Sequence, residues 1–339
     1  QREVVVTGCL GADAQALKQR YPQLKYVSGP AQVAPVLESV DALLHATPTS
    51  RPVGADKQSM PQEARQRLTP PHYAYLKISE GCNHDSSFSI IPAMRGPLRS
   101  RKIDDVVAEA QLLVADGARE LLLIAQDLSA YGVDLKYASA EVFGRQVETR
   151  LLPLCEVLGE IAPWVRLHYV YPYPNVDKLI PLMADGKLLP YLDVPLQHAS
   201  PSILKAMRRP AAAEKSLQRI QRWREICPEL AIRSTFIVGF PGETEEDVGM
   251  LLDFLAQAQL DRVGCFTYSA VEGAAANTLA AQVDERDKLD RQEMVYELQA
   301  NISAARLDRH VGKRLRVLVD EVYDAPGEDR PAAVVGRTM

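Results

Sequence analysis

No stretch of this 339-residue chain approaches the roughly 18 to 20 consecutive apolar residues that a membrane-spanning helix needs. Its first residues, Gln1-Arg2-Glu3-Val4-Val5-Val6-Thr7-Gly8, do not form a secretory signal, so a cytoplasmic protein is expected. Cysteine is scarce: Cys9, Cys82, Cys155, Cys227 and Cys265 lie far apart and are odd in number, which argues against a disulfide framework. Excess positive charge is also missing. A net charge of -5 gives no bulk attraction to nucleic acid, but a local basic patch would be hidden in that sum, so charge neither supports nor excludes RNA binding. His84, His168 and His198 lack a metal-ligand spacing, which argues against zinc. Missing too is an initiator methionine: the chain starts at Gln1 and runs straight into an apolar strand pattern, so a truncated chain is expected.

What remains is the composition of an ordinary globular protein, 47% hydrophobic and 24% charged, in a chain long enough for two or three domains. Residues 1–45 read as strand (Glu3 to Thr7), helix (Asp13 to Arg20), strand (Tyr26 to Ser28) and helix (Gln32 to Leu43), part of a small α/β domain. Residues 46–72 lose periodicity and become rich in Pro, Gln, Ser and Arg, as a linker does. From 73 to 310, short apolar strands alternate with amphipathic helices, the signature of βα units on a parallel sheet. Six strands are expected, beginning near Tyr75, Glu120, Val165, Tyr191, Ile232 and Arg262. A helix from Ile103 to Asp116 ends at Gly117, and another follows Thr244, with Asp247 as its capping-box partner. Residues 311–339 open a further β unit at Arg314 to Asp320.

Each strand runs into a polar or turn-rich segment: Glu80-Gly81-Cys82, Gln126-Asp127, Tyr171 to Asn175, Gln197-His198, Gly239 to Glu243 and Tyr268-Ser269. In a parallel barrel or doubly wound sheet these collect at the carboxyl edge, where ligands bind. Gln126, Gln197 and Arg233 stand near strand ends as hydrogen-bonding candidates; a satisfied loop amide or a surface ion pair is the plainer alternative. The Gly239 to Glu243 turn before a helix suits polar ligand groups, and it is also ordinary βα-loop chemistry. Arg99 to Lys102 and Arg208-Arg209 read as solvated basic runs, and the Tyr171–Tyr173 loop as lining the mouth or packing on itself.

The loop from Glu80 to Pro92 resembles the Cys-x-x-x-Cys-x-x-Cys loop of radical-SAM enzymes. The blocks Gln126 to Gly132, Pro195 to Ser200, Leu204 to Pro210 and Thr235 to Thr244 extend the likeness over nearly the whole chain. Together they resemble the radical-SAM methylthiotransferase family, most of all its RimO-type branch. The resemblance implies an open (β/α)6 partial TIM barrel between an N-terminal α/β domain and a small TRAM-like C-terminal β-barrel. It also implies two [4Fe-4S] clusters, S-adenosyl-L-methionine, an electron donor protein, and a small-subunit ribosomal protein whose aspartate β-carbon receives the methylthio group. The cofactor contacts it implies fall at Gln126, Gln197, Arg233, Gly239 and Glu243. Cys82 matches the first ligand of the barrel cluster and Cys9 the last of the N-terminal set; without the family, each reads as a structural thiol. Ser86 and Ser89 occupy the other two barrel-ligand positions. Iron in such clusters is held by thiolates, and a serine hydroxyl is hard and weakly acidic, so the chain is expected to be inactive as given. The alternatives are a catalytically silent binding scaffold and a tRNA adenosine methylthiotransferase; the Gln126 and Gln197 blocks disfavour the latter, and with it nucleic acid as a direct substrate.

Overall fold

The structure is a computed structural model that describes residues 3–30, 32–44, 67–209, 213–323 and 333–339, and these fall into two compact units. The expected linker therefore lies outside the described residues as far as residue 66. In the first unit, β1 (Val5–Val6) pairs in parallel with β2 (Tyr26–Val27), α1 covers Ala14–Arg20 and α2 covers Val33–Leu44. Asp13 caps α1, its carboxylate accepting from the Ala16 N–H at 3.0 Å. Gly11 lets the turn before α1 approach the end of β2: a Cβ there would stand 1.9 Å from the Ser28 carbonyl oxygen. Residues 80–84 and 90–99 group with this unit, including a helical turn at Ile91–Arg95.

The second unit is the barrel. Its strands are β3 (Tyr73–Lys77), β4 (Glu120–Ile124), β7 (Trp164–Leu167), β8 (Tyr191–Asp193), β9 (Ala231–Val238) and β10 (Arg262–Thr267), all parallel and side by side in sequence order. Between them run α3 (Ile103–Ala115), α4 (Leu151–Ile161), α5 (Ile180–Ala184), α6 (Pro201–Ala206), α7 (Ala213–Ile226) and α8 (Glu245–Ala258), and α9 (Glu285–Asp308) follows β10. The expected open parallel barrel is what the strands form, and each expected strand start lies within two residues of the observed one. The sequence reading missed the hairpin β5 (Ser139–Val142) and β6 (Arg145–Glu148). Its turn residues Phe143 and Gly144 both take positive φ, 52° and 74°, and a phenylalanine in that conformation carries no turn signal.

Strand residues alternate between two environments. Leu76, Leu121, Leu123, Leu167, Ile232 and Phe236 face the helices and are buried in one continuous apolar core. Each such side chain contributes about 1.5–3 kcal/mol on burial. The other face carries Tyr75, Lys77, Arg166, Asp193, Arg233 and Thr235, too polar for a sealed interior.

An open sheet leaves unpaired backbone groups at its edges. Along β10 they are met by side chains of α9. Tyr296 Oη accepts from Cys265 N–H (3.2 Å) and donates to its carbonyl (2.9 Å), which also accepts from Gln292 (2.7 Å). Gln299 donates to the Leu260 carbonyl (2.8 Å), Ser303 to that of Asp261 (3.0 Å), and Arg306 to the Asp261 carboxylate (2.6 Å). The spacing of three and four residues keeps these groups on one helix face.

At the amino ends of the strands lies a charge network. The fully buried Glu120 binds Arg166 (2.6 Å) and Arg337 (2.5 Å). Arg337 in turn grips Asp320 through two nitrogens (both 2.8 Å), and Asp320 meets His72 (2.8 Å). Asp320 and Arg337 come from the antiparallel hairpin β11 (Val317–Tyr323) and β12 (Ala333–Thr338), which the network fastens to the barrel.

Two tests follow from these contacts. Tyr296→Phe leaves the Cys265 N–H without its acceptor and is expected to cost about 1–3 kcal/mol in urea unfolding, against under about 0.5 kcal/mol for Glu293→Ala on the exposed face. Hydrogen bonds from Arg337, with His72 adding and burial opposing, hold Asp320 down to about 2 from an ordinary 3.8. A depressed carboxylate stabilises the fold above its unfolded value and loses that effect as pH falls through its folded one. The difference in melting temperature between the protein and Asp320→Asn is therefore expected to be nearly full at pH 5, to shrink as pH falls toward 2 and to be lost below it.

Candidate functional site

The carboxyl ends of the barrel strands bring five rim loops together. After β4 come Gln126 and Asp127. Gln126 Oε1 is buried with no hydrogen-bond partner among the described residues. Asp127 is buried and accepts from the backbone N–H of Ser129 (2.8 Å) and of Tyr171 (3.4 Å), and from the Ser129 hydroxyl. After β7, Tyr171 is buried against Tyr173 with centroids 5.1 Å apart, and the Arg209 guanidinium lies 3.6 Å over its ring. That loop packs on itself, and Arg209 is a core cation rather than a solvated one. Arg208, its neighbour, pairs with Asp85 at 2.6 Å.

After β8, Gln197 is a non-glycine residue at φ 72°, a conformation that needs support from its surroundings. Its N–H donates to Thr235 O and its carbonyl accepts from Ile237 N–H, both at 2.8 Å, so the chain stays stitched to β9 through the kink. Arg233, one layer deeper on β9, pairs with Asp193 at 3.3 Å. After β9, Gly239 takes φ +70° and donates its N–H to Glu243 Oε1 (2.8 Å). Glu243 is fully buried: Oε1 also accepts from Arg291 (3.0 Å), and His198 Nε2 stands 3.2 Å from Oε2. Its carboxylate thus shapes the loop from within. Thr244 caps α8 in the expected capping box with Asp247. Burial pushes the Asp247 carboxyl up, but hydrogen bonds from Ser200, Thr244 and Ser202 outweigh it and hold the group at about 2. After β10, Lys288 reaches the Tyr268 carbonyl at 3.2 Å. A cleft of about 200 Å³ opens here, walled by Phe88, Gln197, Thr235, Ile237, Phe266 and Tyr268.

The loop with the candidate cluster ligands divides between the units. In the first, half-buried Cys82 donates its N–H to Gly96 O (3.1 Å), and the His84 N–H points to its sulfur (3.4 Å). Gly81, at φ +79°, lets this turn press against Pro97, whose carbonyl oxygen would lie 2.1 Å from an added Cβ. Cys9 sits in the turn before α1. It adds to the rise in the Arg95 pKa, which comes chiefly from that guanidinium's hydrogen bond to Glu80. In the second unit, Ser87 fixes the chain: its N–H donates to Met207 O (3.1 Å), its hydroxyl to Ala206 O (2.8 Å), and its carbonyl accepts from Ala276 N–H (2.7 Å). Phe88 packs beside Met207, Phe240 and Tyr268. Ser86 is buried, its carbonyl accepting from Ser89 N–H (3.2 Å).

A [4Fe-4S] cluster on this loop calls for three thiolates, and the three positions supply one thiol and two hydroxyls. Among the described residues no group of three His, Cys, Asp or Glu side chains is placed to hold a metal. The donor set does not fit the cluster. Nor, among the described residues, is any helix long and apolar enough to cross a membrane. Sequence reasoning passed over Lys288 and Arg291 on α9 and, at the strand ends it did name, the buried roles of Asp127 and His198; a polar residue in either place carries no pattern that separates burial from exposure.

The model of the radical SAM superfamily matches residues 76–255. A ribosomal protein uS12 methylthiotransferase RimO of Hahella chejuensis is 56% identical over 95% of this chain and 72% of its own length. Its counterpart in Pseudomonas aeruginosa is 57% identical over 94% of this chain and 72% of its own length. Among solved structures, coproporphyrinogen III oxidase (HemN) of Escherichia coli aligns with TM-score 0.50 over 69% of this chain and 54% of its own, at 15% identity. The cobalamin-dependent radical enzyme OxsB aligns with TM-score 0.51 over 92% and 49%, at 10% identity. At such identities the structures speak for the fold alone.

The rim makes a direct test of its own packing. An added Cβ at Gly239 would stand 2.2 Å from Lys288 Cγ, whereas one at Gly242, φ +87°, meets nothing within 4 Å. Gly242→Ala is expected to lose about 1–2 kcal/mol from backbone strain alone, and Gly239→Ala clearly more, as read from urea midpoints.

Proposed function

The chain belongs to the radical SAM superfamily and, within it, to the RimO-type methylthiotransferases, and from that premise we propose that its barrel mouth binds S-adenosyl-L-methionine while ribosomal protein uS12 is its protein partner. In this reading Gln126, Gln197 and Arg233 offer hydrogen bonds to the polar parts of the cofactor, and the Gly239 to Glu243 loop forms a wall of its site. The reaction type is methylthio transfer to the β-carbon of an aspartate in that ribosomal protein. The setting is the cytoplasm, and nucleic acid is not the direct substrate. The form with three cysteines would further require an electron donor protein.

One observation limits this activity. Ser86 and Ser89 stand at two of three ligand positions, and a hydroxyl does not replace an iron-binding thiolate. The chain as it stands is therefore proposed to retain recognition of its ligands without loading the barrel cluster. Cys9 supplies one thiol toward an N-terminal cluster.

Anaerobic reconstitution with iron and sulfide tests the proposal. This chain is expected to retain far less than one cubane, and the Ser86→Cys, Ser89→Cys double variant about four irons with matching labile sulfide. A near-complete cluster in the unaltered chain would sink the reading of the serines. Pull-down with purified uS12 is expected to be equal for both forms; no binding by either would remove the partner assignment.

A further inference from the structure

The barrel mouth repeats one arrangement twice. Gln126-Asp127 follows β4, and Gln197-His198 follows the end of β8. In each pair the second residue is buried and reaches sideways to the rim loop of the next strand in the sheet. Asp127 accepts from the Tyr171 N–H in the loop after β7. It also holds Ser129, whose carbonyl accepts from Asn175 of that same loop at 3.1 Å. His198 does the same across β9. Its Nδ1 accepts from the Ser200 N–H at 2.9 Å, so in the neutral ring the proton resides on Nε2, which stands 3.2 Å from Glu243 Oε2 in the loop after β9, a close polar contact without hydrogen-bond geometry.

The first residue of each pair is set apart by its backbone or its unmet polar atom. Gln197 is kept at φ 72° and lines the cleft. Gln126 follows the lumen-side alternation of Leu122 and Ile124, and its buried Oε1 has no hydrogen-bond partner among the described residues. A buried acceptor without a donor is costly unless a ligand supplies one. We propose that Asp127 and His198 are positioning residues, each turning the glutamine before it into the barrel mouth by tying its own strand end to the neighbouring rim loop. The ligand is then one that presents an N–H or O–H donor to the Gln126 amide oxygen and polar groups to Gln197 at the cleft. This inference rests on the reading of the mouth as the cofactor site.

The test follows the glutamines themselves in the full chain labelled with 15N-glutamine, their side-chain amide signals assigned from Gln126→Ala and Gln197→Ala. Asp127→Ala is expected to move the Gln126 pair to the random-coil position and leave Gln197 in place. His198→Ala is expected to do the reverse. Asp127→Asn keeps an acceptor for Ser129 and Tyr171 and should restore the Gln126 signals. With S-adenosylhomocysteine as probe in equilibrium dialysis, each alanine variant is expected to bind roughly tenfold more weakly. The Gln197→Ala, His198→Ala double variant should bind no worse than Gln197→Ala alone, because His198 acts through Gln197. Glutamine signals that ignore the loss of their neighbour overturn the proposal, and so do both pairs shifting together with a fall in melting temperature. An unaltered chain that fails to bind the probe overturns the cofactor reading instead, while the glutamine signals still decide the positioning.

Discussion

A parallel sheet that does not close has two edge strands, here β3 and β10, and the way α9 meets the edge of β10 shapes the barrel mouth. Backbone groups shut away from water cannot be left unpaired, and among the described residues β10 has no further strand beside it. The helix answers with a line of polar side chains rather than an apolar stripe. Once Gln292, Tyr296, Gln299, Ser303 and Arg306 have fixed α9 along the strand, the preceding turn of the same helix is delivered to the barrel mouth. There Lys288 holds the Tyr268 carbonyl, and Arg291 holds the Glu243 carboxylate. Edge protection and rim positioning are thus one device, and the rim inherits its rigidity from hydrogen bonds formed well below it.

The same logic of sideways ties runs round the mouth. Glu243 is linked to Arg291 and Gly239 and faces His198; Asp247 gathers Ser200, Ser202 and Thr244; Asp127 gathers Ser129 and Tyr171. Each joins a loop after one strand to an element after another. Buried polar networks of this kind are stable only when nearly every member is satisfied, and they then fix geometry more tightly than apolar packing does. Within these networks His198 Nε2, Glu243 Oε2 and Arg291 Nε make no hydrogen bond among the described residues, and beside them Gln126 Oε1 is likewise unmatched.

How much of this was legible in the sequence depended on whether a feature has a period. The six barrel strands declared themselves by apolar runs bounded by turns, and the α8 capping box by Thr244 and Asp247 at fixed spacing. The buried face of α9 carries Lys288, Arg291, Gln299 and Arg306 beside Val295 and Ile302, so its residues do not sort by polarity and its role could not be read. The β5–β6 hairpin hid because its turn uses Phe143, and His198 because its partners lie 2 and 45 residues away, in different loops. Cys82 was legible as a position in a family pattern, and its lack of companions was legible as chemistry. The surroundings that keep the loop in place were not.

Those surroundings separate the shape of the loop from its metal. Ser87 ties the segment to Met207, Ala206 and Ala276 through its N–H, hydroxyl and carbonyl, and Phe88 is sunk among Met207, Phe240 and Tyr268. None of these contacts involves a thiol. A short loop held by three hydrogen bonds and an apolar anchor keeps its course whether positions 86 and 89 carry oxygen or sulfur, since the two side chains differ little in size. Replacing two cysteines by serines therefore removes the ligands without removing the frame that would present them. From Ser86 to Phe88 the path of the backbone is thus set by hydrogen bonds and apolar packing that involve no thiol.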